Sequence, residues 1–494
     1  MPPAGAAPNR PVVHATPPSG WMNDPNGLVH HDGLWHLCYQ HHPDSLAWGP
    51  MHWGHAVSTD LLTWTDLPVA LAPDQHGAVF SGSAVVDHEG TAGYGRDALI
   101  AFYTAHLDGD RGQCLAASVD GGRSWTPHPH NPVLPVSDEG PDFRDPRVLR
   151  FTDRRGRAWW VMVVASGACL RFHRSEDLVH WRRTSVLTGL TDDRLGVLET
   201  PELLELEVAG GPERAWLLSF GHTVGGPHGG SAARYLVGSF DGERFTPTHG
   251  VDEVRWVDHG ADLYALQAWT GPGDGRRVWI GWMSNWAYAD QVPATTWRGM
   301  QSIPREVRLV RAADGSPVLA QRPIRELDAR RRRLVDLHAP ELAAARSALA
   351  GVGAACLDIQ LTVAVPHEAD GRLELAVHAG SAGEDGSGTV IAYDPAARQV
   401  AVDRGRSGST VAPGFATCHR SPPLPRSSEV VGGCEVLTLR ILTDTCSVEV
   451  FAAEGTVVLS DLVFPAPEAT GIRLEQLPVG ARILHLDVGA VEVG

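Results

Sequence analysis

One pattern recurs four times in this chain and limits its fold more than any other feature. It is a Ser-x-Asp followed by an aromatic: Ser58-Thr59-Asp60 with Trp64, Ser118-Val119-Asp120 with Trp125, Ser175-Glu176-Asp177 with Trp181, and Ser239-Phe240-Asp241 with Phe245. The serines fall 60, 57 and 64 residues apart. Each copy follows a β-rich run, and turn-forming residues such as Gly121-Gly122 lie between Asp and aromatic. A period of this size with several short strands per unit predicts propeller blades, and the span 21–322 holds roughly five of them.

Polar motifs fall on the same ruler. Asp24, Ser81, Asp145, Glu199 and Asp262 are separated by 57, 64, 54 and 63 residues, each beside or within a run that reads as a strand. Equivalent places in successive blades predict that all five converge on one axial funnel. Residues 1–20 are a Pro- and Ala-rich extension without the apolar core of a signal peptide. Residues 323–354, rich in Arg, Ala, Leu and Glu, read as a helical connector. The Arg330–Arg333 run, with Asp328, Asp336 and Glu341 around it, reads as a solvated or domain-contact surface rather than a nucleic-acid patch. From 355 to 494 short strands alternate with Gly, Pro and Asp turns, which predicts a β-sandwich. The expected fold is therefore all-β, a five-bladed propeller followed by a sandwich.

A net charge of -17 argues against nucleic acid or an anionic membrane surface as partner. Seven scattered cysteines without Cys-x-x-Cys argue against a disulfide framework and structural zinc. A cytoplasmic location is expected, or a secreted one if the chain is a trimmed form. His41, His42, His52 and His55 belong to no closed Cys/His ligand set, and neither metal nor cofactor is expected. The oligomeric state is left open.

Two acids carry the chemical signal. Asp24 lies in Trp21-Met22-Asn23-Asp24-Pro25-Asn26-Gly27, where Pro25 biases it toward an extended backbone and Asn26-Gly27 favours a turn. Glu199 lies in Leu198-Glu199-Thr200-Pro201, again close to a proline. Cleaving a glycosidic bond needs one ionised carboxylate at the anomeric carbon and one carboxyl that holds a proton, its pKa raised by burial and by its neighbour. Asp24 fits the first role and Glu199 the second.

The heptad, with Phe143-Arg144-Asp145-Pro146 and the Glu199 motif following in order, resembles glycoside hydrolase family 32, the β-fructosidases. The resemblance implies Asp24 as nucleophile, Glu199 as acid/base and Asp145 as transition-state stabiliser. It also implies a sugar site formed by Asn23, Gln40, Trp48, Phe80, Ser81, Arg144 and Trp286. Asp262-Leu263-Tyr264-Ala265 and Ser284-Asn285-Trp286 are similar to further family stretches. One departure stands out: Thr200 takes the place of a usual Cys, and its hydroxyl is expected to hydrogen-bond Glu199 or the backbone. The implied activity is hydrolysis of terminal β-fructofuranosyl residues of sucrose or fructans such as levan and inulin. A fructosyltransferase on the same scaffold and a non-catalytic fructan-binding homologue are the alternatives.

Overall fold

Each Ser-x-Asp mark folds into the same kind of turn. In the first, the Leu61 N–H donates to Ser58 Oγ and the Thr63 N–H to Asp60 Oδ1. In the second, Gly122 N donates to Ser118 and Ser124 N to Asp120; in the third, Asp177 N donates to Ser175 and His180 N to Asp177. In the fourth, Asp241 accepts from the N–H groups of Glu243 and Arg244. The turn joins the third strand of a blade to its outermost strand, as between His52–Ser58 and Thr65–Leu71. A short polar side chain that caps its own turn makes this junction local, and so repeatable from blade to blade.

The computed structural model describes residues 10–107, 110–136, 142–192, 194–271, 274–380 and 387–493. Five sheets succeed one another along residues 20–323, with innermost strands Gly20–His31, Ala78–Asp87, Phe143–Thr152, Leu198–Glu207 and Tyr264–Ala268. Neighbouring inner strands touch in sequence around the axis, and the fifth touches the first, so the ring closes. A two-residue strand, Trp297–Arg298, leaves the fifth blade and pairs parallel with Gly20 and Trp21 of the first. Apolar clusters fill the spaces between blades; one joins Trp159, Phe172, Leu203 and Phe240 across the third and fourth.

The second unit is a β-sandwich. One sheet runs Arg331–His338, Arg482–Val491, Leu357–Val365, Cys434–Asp444, Ser447–Ala452, Val457–Leu462; the other has five strands, and a single apolar core lies between them. The expected helical connector is corrected here. Only Glu326–Ala329 and Leu342–Leu349 are helical, and Arg331–His338 between them is an edge strand of the sandwich. The strand conformation prevails because its neighbours supply acids: Arg331 meets Asp358 at 3.1 Å and Asp487 at 2.8 Å, while Val335 enters the core. Such tertiary pairing overrides helix propensity.

Propeller and sandwich are joined by a buried polar seam. Arg305, fully buried, donates to Glu449, Ser460 and Asp258 at 2.5, 2.6 and 3.2 Å. Arg404 donates to Asp262 at 2.7 Å. The segment before the first blade crosses the same seam: the N–H groups of Val12 and Val13 donate to Asp444, and His14 bridges Asp444 and Glu449 at 2.8 Å each. All seven cysteines are free, and among the described residues no helix is long and apolar enough to cross a membrane.

Candidate active site

Every inner strand is irregular at the residue that matters. Register shifts fall between Met22 and Pro25, Val79 and Gly82, and Glu199 and Glu202, and between Tyr264 and Gln267. In the third blade the shift lies opposite Arg144–Arg147. Pro25, Pro146 and Pro201 explain three of these, because proline has no N–H to give the ladder. At Gly82 a Cβ would lie 1.9 Å from the Phe102 carbonyl oxygen, so only glycine lets the second inner strand approach its neighbour. Asp145 and Thr200 take left-handed φ values of 64° and 46°. Bulges re-aim side chains, and here they serve residues near the N-terminal ends of all five inner strands.

Asp24 accepts from Ser81 Oγ at 2.7 Å and from the Asn23 amide at 3.0 Å. Asn23 is itself held by the Trp21 indole N–H at 2.7 Å, and its carbonyl by Gln301 at 2.6 Å. Asp145 accepts from the Thr200 N–H at 2.9 Å and donates its own N–H to Thr104. Glu199 accepts from the Arg144 guanidinium on one oxygen, at 2.8 and 3.1 Å, and from the Tyr264 hydroxyl on the other, at 2.7 Å. Its side chain is 20% exposed, whereas Asp24 and Asp145 are buried. Glu199 is thus the acid that an incoming leaving group and water can reach.

Burial first, then the charges of Asp145 and Glu199, push the Asp24 carboxyl up to about 7 against the pull of Ser81 and Asn23. Burial opposes the charge on Arg144, but Glu199 and then Asp145 outweigh it and raise its pKa. Tyr264 is likewise raised well above the usual phenol value by burial and the three acids, so it donates as a neutral hydroxyl.

Phe80 and Trp286 join Trp21, Tyr264 and Trp282 in one apolar cluster, with Trp286 stacked on Trp21 at 6.1 Å. Trp48 stands 49% exposed with its ring edge-on to Phe80. Gln40 gives its amide hydrogens to Asn26 and to the Val79 carbonyl, tying the first blade to the second.

Two expectations are overturned. Asp262 does not enter the funnel; it is fully buried in the seam, accepting from Arg404, Tyr288 and the Leu462 N–H. Tyr264, two residues on, fills the fifth blade's place. The Thr200 hydroxyl makes no hydrogen bond among the described residues, to Glu199 or to the backbone. His41, His42 and His52 bond to main-chain oxygens, and His55 to His36.

Acid-assisted displacement at an anomeric carbon requires two carboxyl groups in different environments, and here Asp24 is buried while Glu199 is partly exposed. Fold and site together define a glycoside hydrolase. Residues 14–323 match the model of the glycosyl hydrolases family 32 N-terminal domain, and residues 326–487 that of the family 32 C-terminal domain. The chain belongs to glycosyl hydrolase family 32. It is 39% identical to the levanase of Bacillus subtilis (strain 168) over 97% of this chain and 70% of that one. It is 32% identical to the extracellular exo-inulinase of Aspergillus awamori over 94% and 91%. The crystal structure of exo-inulinase from that fungus superimposes with a TM-score of 0.86 at 30% identity, covering 98% of both chains. Fructofuranosidase from Schwanniomyces occidentalis complexed with fructose gives 0.87 at 27%, again over 98% of both.

Proposed function

We propose that this protein removes non-reducing terminal β-D-fructofuranosyl residues from sucrose and from levan- or inulin-type fructans, with retention at C2. The observation that carries this reading is the set of inner-strand acids within electrostatic reach of one another, with Arg144 and Tyr264 clamped on Glu199. In the first half-reaction an Asp24 oxygen bonds to C2 as the C2–O bond breaks and Glu199 passes its proton to the departing oxygen. In the second, a water oxygen bonds to C2, Glu199 takes the water proton, and the Asp24 carboxylate leaves. Asp145 stabilises the positive charge that develops on the ring.

The geometry of the free site matches the second half-reaction. A carboxylate held by a guanidinium and a phenol is oriented as a base toward water. The first half-reaction needs Asp24 ionised. Burial raises its carboxyl in the free enzyme, and sugar hydroxyls donating to Asp24 favour that carboxyl's ionised form. Phe80, Trp286 and Trp48 supply the apolar wall and rim against which a furanose ring rests.

Incubation with sucrose, inulin and levan, with products resolved over time and the first-formed anomer read by NMR, tests the reading. Fructose released singly as the β-anomer is the expected result. Binding without released sugar, or growing oligofructosides in place of free fructose at high sucrose, would replace it with the binding or the transfer alternative.

A further inference from the structure

The sandwich carries a second cluster with chemical potential, far along the chain from the funnel acids. The edge strand Arg331–His338 pairs antiparallel with the last strand, Arg482–Val491, and the register sets His338 directly opposite His485. Asp336 lies two residues before His338, so its side chain emerges on the same face. The two imidazoles stack with centroids 4.5 Å apart and planes 9° from parallel. His485 Nε2 lies 3.0 Å and His338 Nε2 3.6 Å from the same oxygen, Asp336 Oδ1. Among the described residues this is the one group of three such side chains whose ligating atoms all lie within 4.8 Å of one another.

We propose that Asp336, His338 and His485 form a surface site for a transition-metal dication of the zinc, nickel or copper kind. Two imidazole nitrogens and one carboxylate oxygen suit these ions, whereas calcium and magnesium prefer oxygen ligands throughout. The carboxylate is already divided between two tasks. Its Oδ2 accepts from the Arg333 guanidinium at 2.8 Å, which orients the group and leaves Oδ1 turned toward the imidazoles, as a supporting partner does in protein metal sites. The His338 side chain is 77% exposed, so the rings can turn the small amount needed to share an ion, and water completes the coordination.

The position gives the ion a structural role. Arg331–His338 is the first sandwich strand after the propeller and lies at a sheet edge, bonded on one side only. An ion shared between it and the final strand pins that edge, and binding to the folded form alone raises stability by mass action. The site lies outside the catalytic machinery, so it holds its ion whether or not sugar is bound.

The test uses the full chain freed of metal with a chelator, then titrated calorimetrically with zinc alone and with nickel alone, beside His338→Ala and Asp336→Asn. The wild type should bind one equivalent more than His338→Ala, and Asp336→Asn should weaken that equivalent by roughly tenfold or more. Saturating zinc should raise the wild-type melting temperature, the chelator should reverse the rise, and His338→Ala should abolish it while melting like the wild type without metal. Equal stoichiometry in wild type and His338→Ala would overturn the proposal, as would a melting shift that survives the substitution or a wild type that binds no zinc or nickel.

Discussion

The funnel and the seam both hold clustered carboxyl groups, but in different company. In the funnel, Asp24, Asp145 and Glu199 share one guanidinium, Arg144, and burial leaves Asp24 raised to about 7. In the seam, Asp258, Asp262, Asp444, Glu449 and Asp461 face Arg305, Arg404, His14 and His419. Burial opposes the charge on Glu449, but Arg305 first and then His14 outweigh it and bring the carboxyl down to about 2. A buried carboxylate is therefore no sign of catalysis by itself. What separates the regions is the ratio of acids to cations: three funnel acids face one guanidinium, whereas five seam acids face two guanidiniums and two imidazoles.

The largest effect belongs to Asp24→Asn, which should lower turnover of sucrose by roughly 10⁴-fold or more. The same substitution should stabilise the fold above neutral pH. A carboxyl raised from 3.8 to about 7 destabilises the folded form once ionised, by at most about 4 kcal/mol, and the amide removes that penalty. Denaturant unfolding at pH 8 reads it, and a less stable variant would contradict the charge argument.

Glu449→Gln should do the reverse, losing roughly 3–5 kcal/mol because Arg305 is left buried against an uncharged partner. Turnover per folded molecule should survive. If the variant unfolds like the wild type, the seam contributes nothing as a charge pair.

The seam also carries a basic-side pH limit. Burial disfavours a charged His14, but hydrogen bonds to Asp444 and Glu449 outweigh it and push the imidazole up to about 9 from 6.5. Stability from this group is fully present below pH 6.5 and is lost as pH rises through about 9, by about 3 kcal/mol. Thermal melts of the wild type and His14→Leu across pH 6–10 should converge at the alkaline end.

Ser81→Ala acts on the funnel alone. Removing a hydroxyl that donates to the Asp24 carboxylate raises that carboxyl further, so the acid limb of kcat/KM should move to higher pH, by roughly half a unit. Thr200→Cys should be the mildest. Its hydroxyl bonds to nothing among the described residues, so the limb should stay in place, and losing a buried unsatisfied oxygen should stabilise the fold by about 1 kcal/mol. A moved limb would mean that the hydroxyl reaches Glu199 in the working enzyme.

The three acids were legible in the chain because each lies beside or close to a proline and on a ruler of blade-sized intervals, with Ser81 marking the blade between Asp24 and Asp145. The prolines mark the bulges that turn the side chains inward. The ruler failed in the fifth blade. Asp262 and Tyr264 lie 63 and 65 residues beyond Glu199, and spacing cannot choose between positions two apart. What decides is Arg404, which comes from the sandwich 142 residues later and draws Asp262 out of the funnel. The edge strand Arg331–His338 was hidden for the same reason, since Asp487 is 156 residues from Arg331. Local grammar gives turns, bulges and repeats, whereas partners supplied from another domain leave no mark beside the residue they capture.

The eleven residues from His14 to Asp24 begin fixed to sandwich carboxylates and end at a funnel acid, so the first propeller strand is tethered at its start by the other domain. Together with the parallel patch at Gly20 and Trp21, this makes the sandwich part of the hoop that holds the barrel of blades shut. Evolution can reshape the rim loops of such an enzyme freely, but shedding the second domain would loosen the strand that carries Asp24.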